Sequence, residues 1–150
     1  MIRLHFESQE LVSPRYGTRP LTIIRLLAGV RFVQADGRLS KPLEAIVDTG
    51  AHTSVLPISL WERLAVEIEV EAAPLIGIND RPECQIPASL GQIRCVLTDE
   101  TGQVSPELWI LCFLAQTDRV PIILGFADLL SRFEVCFNYN TGEAFAEANA

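Results

Sequence analysis

A chain of 150 residues that is 49% apolar is long enough for one domain with a proper core and short for two. Its formal charge of -7, from 12 basic and 19 acidic side chains, leaves little from which to build a phosphate-neutralising surface, so DNA and RNA binding are set aside. No apolar run approaches the roughly 18 residues of a membrane span, and the opening MIRLHFESQELVSPRYG has no apolar stretch behind a basic end; a soluble, non-exported, cytoplasmic protein without membrane contact is expected.

Nine Gly and nine Pro punctuate short runs rich in Val, Ile, Leu and Phe, the pattern of an all-β protein. Residues 1–20 are polar, with Pro14, Gly17 and Pro20, and predict an N-terminal arm or edge segment; the domain proper is expected over 21–150. Leu21 to Gln34 reads as a strand, Ala35-Asp36-Gly37 as a turn and Leu43 to Val47 as the returning strand of a hairpin. Ser54 to Pro57 predicts a short strand and Ile58 to Leu64 a brief amphipathic helix, with Trp61 as a core anchor. Val66 to Glu71 alternates apolar and acidic residues as a half-exposed strand does. Pro74 to Asp80 then has the composition of a hairpin tip, in which Gly77 and Asn79-Asp80 tolerate positive φ. Further strands are expected at Ile93–Thr98, Leu108–Leu114 and Pro121–Leu124, a helix at Phe126–Arg132, and a closing hairpin from Phe133–Tyr139 to Glu143–Ala146 around Asn140-Thr141-Gly142. Regular strands with one or two short helices predict a small closed β-barrel.

Cys84, Cys95, Cys112 and Cys136 include no C-x-x-C pair, and three of them lie in apolar stretches, so buried free thiols in a reducing compartment are expected. Neither His5 nor His52 has a companion at ligand spacing, and no metal or cofactor is expected.

Ala45-Ile46-Val47-Asp48-Thr49-Gly50-Ala51 concentrates the chemical interest, because an apolar strand delivers a carboxylate into a tight turn closed by Gly50. Read blandly, Asp48 is a turn residue bonding its own backbone, and Gly77 marks an ordinary hairpin. His52 is then a surface or dimer-contact residue, Trp61 and Trp109 pack, and Cys84 is a loop thiol without a role. Two further features favour chemistry at Asp48. One is the continuation Thr53-Ser54-Val55-Leu56-Pro57; the other is Pro121-Ile122-Ile123-Leu124-Gly125, leading into Phe126-Ala127-Asp128-Leu129-Leu130.

Together these segments resemble the retropepsins, the retroviral and retroviral-like aspartic peptidases, over roughly Leu21 to Ala146. The resemblance implies a small closed barrel of the acid-protease type. It makes Asp48 the catalytic carboxylate, Thr49 the hydroxyl locking two facing loops across a dimer, and Gly50 the backbone position abutting substrate. Ala51 and His52 would line the bound peptide, as would Ile76, Gly77, Ile78 and Asn79 in the position of the family's flap. Leu124 and Gly125 would support the loop from beneath. The tail from Phe133 looks less like the viral enzymes than like the cellular DNA-damage-inducible relatives and retroviral-like proteases of bacteria. At His52 and Thr53 the sequence lacks the acidic residues common in viral enzymes, and at Phe126 it lacks the basic residue that often pairs with one of them. Their joint loss leaves no buried charge unpaired.

The implied function is an endopeptidase in which two carboxylates share one proton and activate water. The chain holds one Asp-Thr-Gly, so a homodimer is the economical source of the second. The alternative is a dimer of the same fold that binds peptides or partner proteins without cutting them.

Overall fold

The computed structural model describes residues 1–150 apart from 13, 14, 16, 18 and 78–80. Its strands are β1 (Ile2–Arg3), β2 (His5–Val12), β3 (Pro20–Phe32), β4 (Leu43–Val47), β5 (Ser54–Leu56), β6 (Glu67–Val70), β7 (Ala88–Thr98), β8 (Leu108–Ala115), β9 (Ile123–Leu124), β10 (Phe133–Asn138) and β11 (Glu143–Ala148), with one α-helical turn, α1 (Ile58–Trp61). The protein is all-β, as the short apolar runs punctuated by Gly and Pro predict.

Six strands close a hydrogen-bonded ring in the order β3–β4–β9–β5–β8–β7 and back to β3. β2 continues the sheet outside β3, and β6 does so outside β7. The long strand β3 makes closure possible by changing partners along its length. Its Leu27–Val30 stretch pairs with β4, while Gly29–Phe32 pairs with β7 on the other side. At that changeover a Cβ on Gly29 would stand 2.5 Å from the Thr98 carbonyl oxygen, so the two backbones can approach only without a side chain there.

Alternation places every second residue inside the ring. Ala28, Val30 and Phe32 meet Ile93, Cys95 and Leu97 of β7, Ile110, Cys112 and Leu114 of β8, and Leu56 and Leu124, all essentially without solvent contact. A separate sheet, β1–β11–β10, adds Ile2, Phe133, Ala144 and Ala146 to the same core.

Four elements differ from the sequence reading. The first twenty residues do supply an edge, β2, but Ile2 and Leu4 are buried in the core, so ordered packing begins well before Leu21. The helix expected at Ile58–Leu64 shortens to one turn, and Trp61 at its end donates its indole N–H to the Ala115 carbonyl at 2.8 Å.

Phe126–Arg132 is not an α-helix. Asp128 adopts φ 64°, and the amides of Leu130 and Ser131 reach back five residues to the carbonyls of Gly125 and Phe126, which leaves a wide turn ending in a 3-10 segment at Leu130–Arg132. What holds Asp128 there is long-range, since its Oδ2 accepts the Leu111 N–H of β8 at 3.1 Å. Finally, Trp109 does not pack inside. It is exposed, with the Arg94 guanidinium 5.2 Å from its ring centroid and Arg94 also 3.4 Å from Glu107.

Candidate active site

The Asp48 loop joins β4 to β5, and the two-residue strand β9 lies between those strands. β9 runs parallel to β4, with Ile46↔Ile123 and Val47↔Leu124 in register, and antiparallel to β5 at Val55↔Ile123. The chain therefore leaves β4 at Val47 over a support it has already paired with. Asp48 donates its amide to the Leu124 carbonyl at 3.1 Å, continuing the ladder by one residue beyond β4.

Past that bond the loop is fixed from beneath by the Gly125 segment. Gly125 donates its N–H to the Ser54 hydroxyl oxygen at 2.9 Å. Phe126 donates to the Ala51 carbonyl and Ala127 to the His52 carbonyl, both at 2.8 Å. A Cβ at Gly125 would fall 2.6 Å from the Thr53 carbonyl carbon and 2.8 Å from the Ser54 nitrogen. Both are backbone atoms that cannot swing aside, so contact this close requires glycine. Leu124 is fully buried, which anchors the support in the core.

At the loop's apex Asp48 is partly exposed, and Thr49 and Gly50 are exposed. Asp48 Oδ1 accepts the Gly50 N–H at 2.9 Å, the bond an Asx turn makes two residues on. That turn engages one carboxylate oxygen; among the described residues Oδ2 has no hydrogen-bond partner, and neither has the Thr49 hydroxyl. Gly50 has a different reason to be glycine from the one its turn position predicts. It does not adopt a left-handed φ; a Cβ there would instead press on Asp48 Oδ1 at 3.2 Å. The Asx turn read as the bland alternative is thus present, and it orients the carboxylate while leaving it accessible.

The remaining candidates divide. Ala51 is half-buried and holds the Gly125 segment through its carbonyl. His52 is exposed, and its Nδ1 lies 3.0 Å from the Thr53 hydroxyl, which turns the ring along its own loop. Ile76 and Gly77 lie on the hairpin between β6 and β7, whose base is closed by Ala73 N–H to Ala88 C=O and by the reciprocal Leu75–Ile86 pair. Both are exposed, and Gly77 has no left-handed φ. Ile78 and Asn79 lie outside the described residues.

Two residues that sequence reasoning did not single out as site residues complete the support. Ser54, wholly buried at the start of an apolar strand, supplies the hydroxyl that receives Gly125. Asp128 ties the turn after Gly125 to β8. A hydroxyl opening an otherwise apolar Ser-Val-Leu strand was the available signal for Ser54.

Directly across from Ser54 in the parallel ladder stands Cys112. Burial, with smaller contributions from Cys95 and Asp128, pushes its thiol well above the ordinary range. Burial likewise pushes Cys95 up to about 12, helped by Glu107. Both stay protonated and unreactive at neutral pH. Among the described residues no three His, Cys, Asp or Glu side chains converge as a metal site.

Two surface cavities, of about 460 and 570 Å³, lie elsewhere. The first is at the base of the β6–β7 hairpin, between Glu71, Pro74, Gln85 and Gln116, and the second surrounds Met1, Arg3, His5 and Phe145. Neither contains Asp48. No protein-family model matches the sequence, and no curated protein matches it either. Among the described residues no helix is long and apolar enough to cross a membrane.

Proposed function

We propose that this chain is an aspartic endopeptidase of the retropepsin type, acting as a homodimer in which each copy contributes Asp48. One observation carries the reading. A lone, partly exposed Asp48-Thr49-Gly50 loop is hydrogen-bonded from beneath by the Leu124-Gly125 segment, which lies more than seventy residues further along the chain. A turn aspartate with a purely local role has no need of that support. The closed ring of strands agrees with the small barrel such enzymes use.

Chemically, hydrolysis of a peptide bond needs a base for the attacking water and an acid for the carbonyl oxygen and then the leaving nitrogen. Two carboxylates about 3 Å apart cannot both ionise, so they hold one proton between them and supply both roles. In the proposed dimer the ionised Asp48 takes a proton from water as its oxygen attacks the carbonyl carbon. The protonated Asp48 gives its proton to the carbonyl oxygen, forming a gem-diol. On collapse, the proton taken from water passes to the nitrogen while the other Asp48, now ionised, takes a proton from a gem-diol hydroxyl; the C–N bond breaks, a carboxylic acid and an amine leave, and the pair again holds one proton. The Gly50 N–H holds Asp48 Oδ1 in place throughout. Thr49 reaches the facing loop across the two-fold axis. The β6–β7 hairpin, with Ile76 and Gly77, closes over an extended peptide bound by strand-like hydrogen bonds. Neither a metal nor a cofactor takes part, and the four thiols are spectators in a reducing, cytoplasmic setting.

The test is a peptide-library digest from mildly acidic to neutral pH with wild type, Asp48→Asn and a statine-type inhibitor. Cleavage that vanishes in the variant and is blocked by the inhibitor supports the dyad. Equal cleavage by both proteins removes Asp48 from catalysis, and peptide binding without cleavage by wild type favours the non-cutting peptide-binding dimer.

A further inference from the structure

The ladder between β3 and β4 ends at the Leu27–Ile46 pair. Two residues beyond it on the two strands come Arg25 and Asp48, so the stretch from Pro20 to Arg25 runs past the Asp48 loop at the same end of the ring. At a rise of ~3.3 Å per residue those six residues project roughly 20 Å. Among the described residues their strand partner there is β2, through the pairs from Glu7↔Arg25 to Val12↔Pro20.

Every residue of this two-stranded ribbon is exposed, including Leu11, Val12, Leu21, Ile23 and Ile24. Opposed residues share a face, so Val12 and Ile24 lie on one side and Leu11, Leu21 and Ile23 on the other. A two-stranded ribbon is marginal in water and calls for another layer. The chain ends do not reach over to provide one, since β1 and β11 pair with each other in their own sheet.

We propose that this ribbon is the docking surface for a second copy of the chain, an inference that rests on the aspartic-peptidase reading and gives its dimer an interface. The occupant follows from position and charge. The missing carboxylate must arrive at the end of the ring from which the ribbon projects. Over its twelve residues the charged side chains are Glu7, Glu10 and Arg25, a net -1 against -7 for the whole chain, so two ribbons meet with far less repulsion than the rest of the surface carries, and Arg25 of one can face a glutamate of the other. Each ribbon then lies along the partner protomer beside the paired Asp48 loops. The interface thus uses an internal hairpin, leaving the terminal strands in their own sheet.

Sedimentation equilibrium of the full chain tests this, comparing wild type with the Leu21→Glu, Ile23→Glu double variant, while hydrogen exchange on wild type is followed against concentration. The expected result is a wild-type dimer, a variant dissociation constant raised at least about 100-fold by the buried charges, and protection of the Leu21–Arg25 amides that grows with protein concentration. Three results would overturn the proposal: dimerisation undisturbed by the variant, a wild type that stays monomeric, or protection that appears only when peptide is added. The exchange measurement needs no variant and decides the matter even if the variant fails to fold. A dimer lost in the variant, together with wild type that never cleaves peptide, would sink the peptidase reading and leave the ribbon standing. An intact dimer and intact cleavage in the variant would sink the ribbon alone.

Discussion

The Asp48 loop and the β2–β3 ribbon leave the same end of the ring, and they are finished to very different degrees. The loop is polar and short, yet Leu124, Gly125, Phe126 and Ala127 bond to it at every turn and Ser54 locks the support in the core. The ribbon is long and half apolar, and beyond Arg25 it rests on its own ladder. Near its root further hydrogen bonds gather. There Asp99 stands where the edge of β3 passes from β7 to β2, and it accepts hydrogen bonds from the amides of Arg3, Thr101 and Gln103 and from the Thr101 hydroxyl. Order at an exposed segment comes from what packs behind it. By that measure one chain completes its loop and leaves its ribbon for another surface to cover.

The sharpest way to break this contrast is to remove the glycine beneath the loop. Gly125→Ala should destabilise the chain by about 3 kcal/mol, at the upper end of the overpacking range, with cleavage lost, because the added carbon meets immovable backbone. Denaturant unfolding checks it. Ser54→Ala, which strands the buried Gly125 N–H, should cost about 1–2 kcal/mol and loosen the loop, seen as faster exchange of the Gly125 amide.

A smaller effect is expected at the ribbon's root. Some desolvation raises the Asp99 pKa, but its four hydrogen bonds overcome that and hold it down to about 2, against an ordinary 3.8. A carboxyl depressed by folding contributes its full stability above the unfolded value, so this contribution should be intact above pH 3.8 and fade as pH falls through about 2. Asp99→Asn should remove that acid dependence from exchange at the Arg3 amide, and an unchanged pH profile in the variant would refute the assignment. Smallest of all, Ile23→Thr on the ribbon should alter monomer stability by no more than about 0.5 kcal/mol, because the monomer buries nothing against it; a loss of several kcal/mol would mean the ribbon is already packed.

The same contrast explains what could be read from the sequence. The core strands were legible as short apolar runs rich in Val, Ile, Leu and Phe, and the structure turns every second residue of them, such as Ala28-Val30-Phe32 and Ile93-Cys95-Leu97, into the core. Leu43–Val47 was found with its observed limits, since Pro42 and Asp48 bracket an apolar run. The link between Asp48 and Gly125 was legible as a pair of motifs, and Gly125 indeed lies against Thr53 and Ser54.

Other features depended on partners that local pattern does not reveal. β2 carries Glu-Ser-Gln-Glu with no alternation and is a strand because β3 offers it an edge. Phe126–Arg132 has helical spacing, but the Leu111 amide draws Asp128 out of helical geometry from seventeen residues away. Trp109 reads as a core residue by type, whereas alternation on β8 turns it outward toward Arg94.

The central claim is that two Asp48 side chains form one catalytic unit, and the most direct test is their separation in a crystal of the dimer. The account predicts two carboxylates within hydrogen-bonding reach, roughly 3 Å apart, each with Oδ1 still held by its own Gly50 amide and with the ribbons lying against the partner protomer. A stable, cleavage-competent dimer in which the two Asp48 carboxylates face away from one another would contradict it.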